Sequence, residues 1–473
     1  MTPGLDEEKY FVVRWGLTKG KYAPRLYSPS VLIFIEKLWR MGGATKMREV
    51  IREGAYGVLP PGDSYDDLLP ITFLRATEMM PNLRVDLASC HRVARDYFNP
   101  KARVSVGDVL LAVKGATIAS NKCVAVIEEE PGEAVINGSI FRMQFKDSVS
   151  PKFAAVVLDT PLMKKQMRLG LVANNGVDYL DKTLIHNLVF PVSSPEVQNK
   201  IVSIYEGAAA AYRTARADAE QMLAGIDDYL LAELGITLPP EPENTIANRI
   251  FTAQRRELVG WRFDPYYYGD KFHALEHALD NGPYTAKSLG QLYFSINNGI
   301  DCREFIDGGL PYVKVADVKP FAVDLTQAQT VPAQSVPDRG HVQKGDLLLT
   351  RKGTFGVAAL VETDTKFAIS SEVFRIELDS TRVFGPYLVS LLNSSICQEQ
   401  FDRQKIGAIM GSLTQVSLRR IRLPLPPLAK QQEIQGYVEH IRSQVSSLRE
   451  QAEAELKNAK RHIEAMLLGE MTP

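Results

Sequence analysis

Several short strings in this sequence carry side chains that commonly do chemistry. The string His273-Ala274-Leu275-Glu276-His277 has the H-x-x-E-H pattern of some zinc peptidases, whose two histidines lie on one helix face. So short a string occurs by chance in many chains, and nothing else in the sequence indicates a protease. We therefore favour an ordinary surface helix and keep a zinc peptidase at His273, Glu276 and His277 as the alternative.

A second string, Asp264-Pro265-Tyr266-Tyr267, approaches the Asn/Asp-Pro-Pro-Tyr/Phe loop of adenine methyltransferases but lacks the second proline. No convincing glycine-rich turn for a methyl donor follows a strand. We expect the tyrosines at 266–268 to pack in a core, and stacking on unpaired bases is the less favoured alternative.

Two lysines, Lys114 and Lys352, follow the carboxylates Asp108 and Asp346 at equal distances. The spacing is not that of a nuclease, and a Gly-Asp turn explains both carboxylates. The sequence therefore predicts no catalytic site, no metal site and no cofactor site.

Composition excludes several other classes of protein. Among 473 residues, 45% are hydrophobic, and 55 Lys and Arg nearly balance 56 Asp and Glu, so any nucleic-acid surface must arise from local segregation of charge. The four cysteines are far apart and form no CxxC pair, which argues against structural zinc and a secreted disulfide framework. The acidic N-terminus and the lack of a long apolar run predict a cytoplasmic protein without a membrane segment.

An internal repeat organises the chain. VSVGDVLLAVKG at residues 104–115 and VQKGDLLLTRKG at 342–353 share seven identities in twelve positions. In the same order, INGSIFRMQF at 136–145 matches ISSEVFRIEL at 369–378, and VFPVSSPEVQNKI at 189–201 matches LPLPPLAKQQEI at 423–434. Within the first pair, a Gly-Asp turn, a short apolar segment and Lys-Gly predict a strand between two turns.

Each copy also contains a long segment without proline. From Ile434 the apolar residues recur at steps of three or four, which predicts a coiled-coil seam. The counterpart from Ile201 passes through Ile204, Ala208, Ala211, Ala215, Met222, Ile226 and Tyr229. Because each helix has one apolar stripe, each needs a partner, and we expect the two to pack antiparallel with the globular parts at opposite ends.

The proline-rich polar string TLPPEPENT marks a linker between the copies. We predict globular domains at residues 24–195 and 246–427, helices at 196–236 and 428–470, and the linker at 237–245. Residues 1–23 have no counterpart in the second copy and are assigned no role.

These features together resemble the specificity subunit of type I restriction-modification systems. The resemblance covers nearly the whole chain. It depends on the duplicated order of domain and helix, on the strands that end at Gly115 and Gly353, on the proline-then-Gln helix entrances at 195–198 and 424–432, and on GIDDYLLAELGI at 225–236.

The resemblance implies an α+β fold, with two mixed α/β target-recognition domains in tandem repeat, separated by two long helices that form an antiparallel coiled coil. It implies a non-catalytic subunit that reads a bipartite site on double-stranded DNA and sets the spacing of its halves. The implied partners are two adenine-methyltransferase subunits and restriction/translocase subunits. S-adenosylmethionine, Mg and ATP are then expected only on those partners.

Candidate DNA contacts follow the repeat, since base reading needs polar and basic loops. Lys114 and Lys352 are placed to pair with phosphates, and an ordinary solvated lysine is the equal alternative. The other candidates are Thr117, Asn121, Lys122, Asn137, Ser139, Arg351, Thr354, Ser370, Ser371, Arg403, Lys405, Arg419 and Arg420. The last four belong to the densest basic cluster of the chain, which an ordinary solvated helix face also explains.

Two other functional classes stay open. The chain is alternatively a scaffold whose coiled coil is its function, or a reader subunit of another DNA-modifying defence system. Weak salt dependence of any DNA binding favours the scaffold.

Overall fold

The computed structural model describes residues 29–169, 171–174, 177–243, 245–246, 250, 252, 254–255, 258, 262–337, 340–407 and 411–470. Residues 1–23 lie outside this range, so the structure does not address their role. The chain divides into two units, one formed by residues 1–216 and 448–473 and the other by residues 217–447. Within the described residues, no helix is both long and apolar enough to cross a membrane.

The first unit contains the first copy of the repeat. Its short helices are α1 (Pro29–Arg40), α2 (Met47–Val50), α3 (Pro151–Leu158), α4 (Pro161–Leu169) and α5 (Lys182–Asn187). Its strands are β1 (Ala44–Lys46), β2 (Ile51–Tyr56), β3 (Ile71–Leu74), β4 (Met79–Met80), β5 (Arg84–Val85), β6 (His91–Val93), β7 (Val109–Ala112), β8 (Val124–Val126), β9 (Ala134–Ile136), β10 (Ile140–Phe145), β11 (Val172–Asn174), β12 (Val177–Tyr179) and β13 (Val189–Pro191).

The long helix α6 (Pro195–Leu234) leads from the first unit into the second. The second unit then contains α7 (Asp270–Asn281), α8 (Gly385–Leu392), α9 (Ser395–Gln404) and α10 (Gln415–Leu418), and α11 (Leu428–Leu467) follows. Its strands are β14 (Ala286–Ser288), β15 (Tyr293–Asn298), β16 (Leu310–Val313), β17 (Val318–Lys319), β18 (Ala322–Val323), β19 (Gln329–Val331), β20 (Leu347–Thr350), β21 (Ala358–Leu360), β22 (Ala368–Ile369), β23 (Val373–Leu378) and β24 (Arg422–Pro424).

The two copies have the same sheet topology. A four-stranded sheet has the order β2-β10-β7-β8 in the first unit and β15-β23-β20-β21 in the second. A three-stranded sheet has the order β6-β3-β9 in the first and β19-β16-β22 in the second. Each of these three-stranded sheets contains one parallel pair, β3 with β9 or β16 with β22. The predicted α+β fold and its duplication are therefore confirmed.

The strand predicted from each Gly-Asp-hydrophobic-Lys-Gly string is also present. All four residues of β7 and all four of β20 are buried. Gly107 and Gly345, which precede these strands, have φ of +87° and +92°. Only glycine adopts such angles at little cost, so these turns require it.

In each four-stranded sheet, a buried ion pair lies at the start of the central strand, which is β7 in the first unit and β20 in the second. Asp346 Oδ2 accepts hydrogen bonds from the backbone N–H of Gln343 (2.7 Å) and from Arg375 Nε (2.6 Å). In the first unit, Asp108 accepts from the Ser105 N–H (2.8 Å) and lies 3.5 Å from Arg142. Burial raises the pKa of Asp108, against the opposing effect of these partners. The aspartate of each Gly-Asp turn therefore ties the turn to the neighbouring strand.

The two long helices pair antiparallel. In the second unit, the rings of Tyr229 and Tyr437 stack at 3.9 Å, and Lys430 Nζ lies 2.7 Å from Glu233. Residue numbers thus rise along α6 as they fall along α11. Each helix has 40 residues and is about 60 Å long at about 1.5 Å per residue. The predicted antiparallel coiled coil is confirmed.

The buried stripe of α6 differs from the predicted seam. The buried residues are Ile201, Tyr205, Ala209, Ala215, Ala219, Ile226, Leu230 and Leu234. Of the predicted positions, only Ile201, Ala215 and Ile226 are among them. The first half of α6 packs in one core with both α11 and the first domain. The heptad pattern alone therefore did not identify its most buried side.

Polar side chains join each long helix to the domains. At the start of each helix, Gln198 and Gln431 are almost completely buried. Their side chains accept from the Ser150 and Phe384 backbone N–H groups at 2.9 and 2.8 Å. These bonds explain the proline-then-Gln entrance that both copies share.

The far end of each helix is held by a carboxylate. In the first unit, Glu464 of α11 accepts from the Leu162 N–H at 2.6 Å, at the start of α4. In the second unit, Asp227 of α6 accepts from the Ser395 N–H at 2.8 Å, at the start of α9. The first turn of a helix has N–H groups without internal partners, and a carboxylate there is favourable.

We predict that Asp346→Ala destabilises the second unit by about 3 kcal/mol, because it leaves the largely buried Arg375 guanidinium without its carboxylate. Calorimetric and urea unfolding of the chain measure the loss. The control is Asp364→Ala, which removes the exposed partner of Lys344. This substitution should cause no measurable change in stability. Equal effects of the two substitutions would contradict the proposed role of the buried pair.

Candidate nucleic-acid interface

The first unit brings several predicted contact residues to one edge. We define the Lys114 edge as residues 114–117, residues 137–139 and Tyr179. The Val113 N–H donates to the Ser139 carbonyl at 2.9 Å, and Lys114 pairs with Tyr179 in an antiparallel bridge. Lys114 Nζ lies 5.9 Å from the centre of the Tyr179 ring. Three segments distant in sequence therefore meet at this edge.

The second unit builds the equivalent edge from equivalent segments. We define the Lys352 edge as residues 351–354, residues 370–372 and Ser412. The Arg351 N–H donates to the Glu372 carbonyl at 2.8 Å, and Lys352 pairs with Ser412 in an antiparallel bridge. Lys352 Nζ lies 3.5 Å from Glu372 Oε1, in an ion pair whose side chains are about half exposed. The fold thus creates the same backbone arrangement twice.

Smaller hydrogen bonds fix the turns of the Lys114 edge. The Thr117 hydroxyl donates to the Lys114 carbonyl at 2.7 Å, and Asn137 Oδ1 accepts from the Ser139 N–H at 2.8 Å. Asn121 is exposed and Lys122 is partly buried, in the loop that follows. The loop between β7 and β8 spans residues 113–123, whereas that between β20 and β21 spans 351–357. The two edges therefore differ in shape as well as in side chains.

The Lys352 edge has both accessible and buried polar groups. Thr354 is exposed, and Arg351 Nη1 donates to the Ser371 carbonyl at 3.2 Å. Ser370 is only 7% exposed, and its buried hydroxyl has no hydrogen-bond partner among the described residues. Arg351 and Ser371 are partly buried.

A glycine allows close approach behind each edge. A Cβ atom on Gly57 would collide with the Ile136 carbonyl oxygen, and one on Gly299 would collide with the carbonyl oxygens of Ile369 and Ser370. The adjoining residues, Val58 and Ile300, form parallel bridges to Asn137 and Ser370. These two glycines therefore position the turns that carry the polar groups. Neither glycine was identified from the sequence, although both occupy equivalent places in the repeat.

The predicted basic residues lie near one another, since Arg420 lines one pocket with Arg403 and another with Lys405, but they differ in exposure. Arg403 is 8% exposed, its Nη1 is 2.5 Å from Glu276 Oε1, and its Nε donates to the Tyr267 carbonyl at 2.9 Å. Arg403 thus fastens α9 to α7 inside the domain. Lys405 pairs with Asp402 at 2.5 Å. Arg419 and Arg420 are exposed and follow α10.

Two of the three tyrosines at 266–268 pack in the domain, and the glutamate of the histidine string forms an ion pair there. Tyr267 and Tyr268 are buried, as expected, whereas Tyr266 is 46% exposed and lines an open cavity of about 810 Å³ with Lys405 and Arg420. Glu276 is engaged by Arg403. Among the described residues, no three His, Cys, Asp or Glu side chains are arranged to hold a metal ion.

Part of the second copy is similar to a known family. Residues 308–458 match the family model described as "Type I restriction modification DNA specificity domain". Over 203 residues, the chain is 24% identical to the specificity subunit of the type I restriction enzyme EcoBI from Escherichia coli. That match spans 42% of this chain and 42% of the relative, which is less than half of either.

Solved structures give more distant likenesses over more of the chain. A chain from a type I R-M system, solved to explain complex assembly and conformational transition, is 15% identical with a TM-score of 0.48; the match covers 90% of this chain and 96% of that one. The HsdS subunit from Thermoanaerobacter tengcongensis is also 15% identical, with a TM-score of 0.34 and coverage of 90% and 97%. At these TM-scores the likenesses settle no residue's role.

We predict that Gly57→Ala destabilises the first unit by about 1–3 kcal/mol, because the added methyl group displaces the Ile136 carbonyl behind the Lys114 edge. Thermal unfolding measures the loss. Gly62→Ala is the matched control, since a Cβ at Gly62 meets no atom within 4 Å. If the two variants unfold at the same temperature, the close approach at Gly57 is not important for stability.

Proposed function

We propose that this chain belongs to the family of type I restriction-modification DNA specificity domains, which the match over residues 308–458 supports, and that it is the non-catalytic DNA-recognition subunit of a type I restriction-modification complex. In this proposal, residues 24–195 and 246–427 are two target-recognition domains. Each reads one half of a bipartite site. The helices at 196–236 and 428–470 set the spacing of the halves, and the linker at 237–245 leads from the first helix to the second domain.

The observation that carries the proposal is the duplicated edge. The Lys114 edge and the Lys352 edge have the same backbone connections, yet their side chains and loop lengths differ. A single framework with two different polar surfaces fits a protein that reads two different half-sites. An enzyme with one active site has no use for such a duplication.

The side chains at the edges suit duplex DNA. Lys114 and Lys352 supply charges for phosphates, while Thr117, Asn121 and Thr354 offer groups that hydrogen bond to base edges. Asn137, Ser139, Arg351 and Ser371 at the edges, and Lys122 in the loop after the Lys114 edge, are retained as further proposed contacts. We leave out Arg403 and Ser370, because each is nearly buried in the free chain.

We add Glu372 to the proposed contacts, although the sequence analysis did not identify it. It is 47% exposed in its side chain and lies on an otherwise cationic edge. Its position in the repeat corresponds to that of Ser139, since both carbonyls accept the first N–H after the central strand. A carboxylate accepts a hydrogen bond from the N4 amino group of cytosine in the major groove.

The catalytic chemistry is assigned to partners. We propose that two adenine-methyltransferase subunits dock on the helices and that restriction/translocase subunits join them. S-adenosylmethionine, Mg and ATP then bind to those subunits. A reader subunit of another DNA-modifying defence system is the second candidate, because the duplicated edges serve it equally well.

We expect the chain, expressed with its neighbouring methyltransferase subunit, to direct adenine methylation to a two-part motif with a fixed gap. Single-molecule sequencing of the host genome measures this. Exchanging residues 24–195 for those of another specificity subunit should change one half of the motif and preserve the other half and the gap. Each protein expressed alone is the control and should give no methylation. Methylation by this chain alone would refute the non-catalytic assignment.

We further expect Glu372→Gln to relax the base preference at one position of a single half-site, because an amide also donates hydrogen bonds and so accepts other bases. Methylation mapping of the assembled complex shows the change. Glu377→Gln, at an exposed carboxylate farther along β23 that bonds Ser295, should leave the motif unchanged. An unchanged motif in the Glu372 variant would remove this residue from the reading surface.

A further inference from the structure

A cluster of basic residues forms where α5 meets α2 in the first unit. We define the α5 cluster as Lys46, Arg48, Lys182 and His186. Lys46 Nζ donates to the Asn187 carbonyl at 3.0 Å, and the Met47 N–H donates to the Leu188 carbonyl at 2.9 Å. These bonds bring two segments together that are more than a hundred residues apart in sequence. Arg48 and Lys182 are exposed.

The pKa of His186 is influenced by the same basic residues. Burial, followed by the charges of Lys182 and Arg48, lowers the pKa of His186. Its Nε2 atom is buried and has no hydrogen-bond partner among the described residues. The nearby carboxylates are Glu49, which lies 2.9 Å from Arg48, and Asp181, which accepts the Leu184 N–H at the start of α5. Basic groups thus predominate on the exposed side.

The second unit has a corresponding basic cluster directly after α10, formed by Arg419 and Arg420. The Leu289 N–H donates to the Ile421 carbonyl at 2.8 Å, as the Met47 N–H does to Leu188 in the first unit. This correspondence places Gly290 at the position of Arg48. It likewise places Arg419 at the position of His186.

The guanidinium at this place comes from different elements in the two copies. A Cβ atom on Gly290 would lie 3.2 Å from the Cβ and Cγ atoms of Arg419, so the Arg419 side chain lies against the glycine. In the first unit, Arg48 occupies the position of Gly290, and His186 occupies the position of Arg419. The charge is kept although the residue that supplies it changes, which a role in packing alone does not require.

Both clusters continue the edges described above. In the first unit, Tyr179 pairs with Lys114, Leu180 donates to the Val113 carbonyl at 3.0 Å, and α5 begins two residues later. In the second unit, Ser412 pairs with Lys352, and α10 begins three residues later. Each cluster therefore begins within a few residues of its edge.

We propose that the α5 cluster binds phosphates of the DNA backbone beside the half-site read by the Lys114 edge, and that Arg419 and Arg420 do the same beside the Lys352 edge. The inference rests on the proposed function. Phosphate contacts position a protein without reading sequence. The clusters therefore contribute affinity and leave the recognised motif to the edges.

The test uses the complex assembled with its methyltransferase subunit, carrying Arg48→Gln and Lys182→Gln together. Affinity is measured across salt concentrations on a duplex with the methylated motif and on a scrambled duplex. The slope of log K against log salt should become shallower by about 0.9 for each lost phosphate contact. Affinity should fall by a similar factor on both duplexes, and the genomic motif should remain the same.

Two further variants make the outcome decisive. Arg95→Gln removes an exposed arginine that pairs with Glu133 outside the cluster and should leave the slope unchanged. Arg48→Lys keeps the charge and should retain most of the wild-type slope. These variants separate loss of charge from loss of fold, which thermal unfolding of each complex checks.

Three results would overturn the proposal. A wild-type slope in the double variant shows that the cluster does not contact phosphates, while bipartite methylation by the wild type still supports the proposed function. Loss of the methyltransferase subunit from the complex, with no change in slope, makes the cluster a protein-docking surface. Absence of both methylation and salt-dependent binding in the wild type rejects the proposed function and this inference together.

Discussion

A forty-residue helix with one apolar stripe is not stable alone in water, and this constraint shapes the whole chain. Pairing α6 with α11 covers the stripes, but apolar contact alone leaves the helices free to slide. The carboxylates of Glu464 and Asp227 restrict sliding, because each must meet the first N–H groups of a particular short helix. Gln198 and Gln431 fix the opposite ends by the same logic. Direction and register therefore come from a few polar bonds, whereas most of the stabilisation comes from apolar burial.

Each of the duplicated domains combines a recurring buried framework with an exposed edge that differs between the copies. The pairs Asp108–Arg142 and Asp346–Arg375 recur, as do the glycines at 57 and 299, because each satisfies a requirement of the backbone. The exposed residues beside them do not recur. Ser139 in the first copy corresponds to Glu372 in the second, and the loop after β7 differs in length from the loop after β20. Variation at such positions costs little stability, since the buried bonds hold the edge in place. Under the proposed function, this arrangement lets a half-site change without a change of fold.

The sequence predicted what depends on local pattern. The repeat and the Gly-Asp turns gave the central strands, and proline-free heptads gave the long helices. It failed where packing among distant segments decides. Arg403 looked like part of a surface cluster, yet Glu276 and Tyr267 enclose it. Gly57 and Gly299 gave no signal by themselves, because their need for close approach depends on strands far along the chain. The α5 cluster was invisible for the same reason, since Lys46 and Lys182 belong to different segments.

The charge balance of the chain also follows from this architecture. A net charge of −1 gives no general attraction for DNA. Many carboxylates, however, are used within the fold: Asp159 pairs with Lys164 and Lys460, Asp181 caps α5, and Asp108 and Asp346 hold turns. An acid committed to a buried bond repels phosphate less than an exposed acid does, because its charge is balanced locally. Lys182 and Arg420, by contrast, are exposed cations. Local segregation of charge is therefore compatible with the proposed DNA-binding surface, which the overall composition does not reveal.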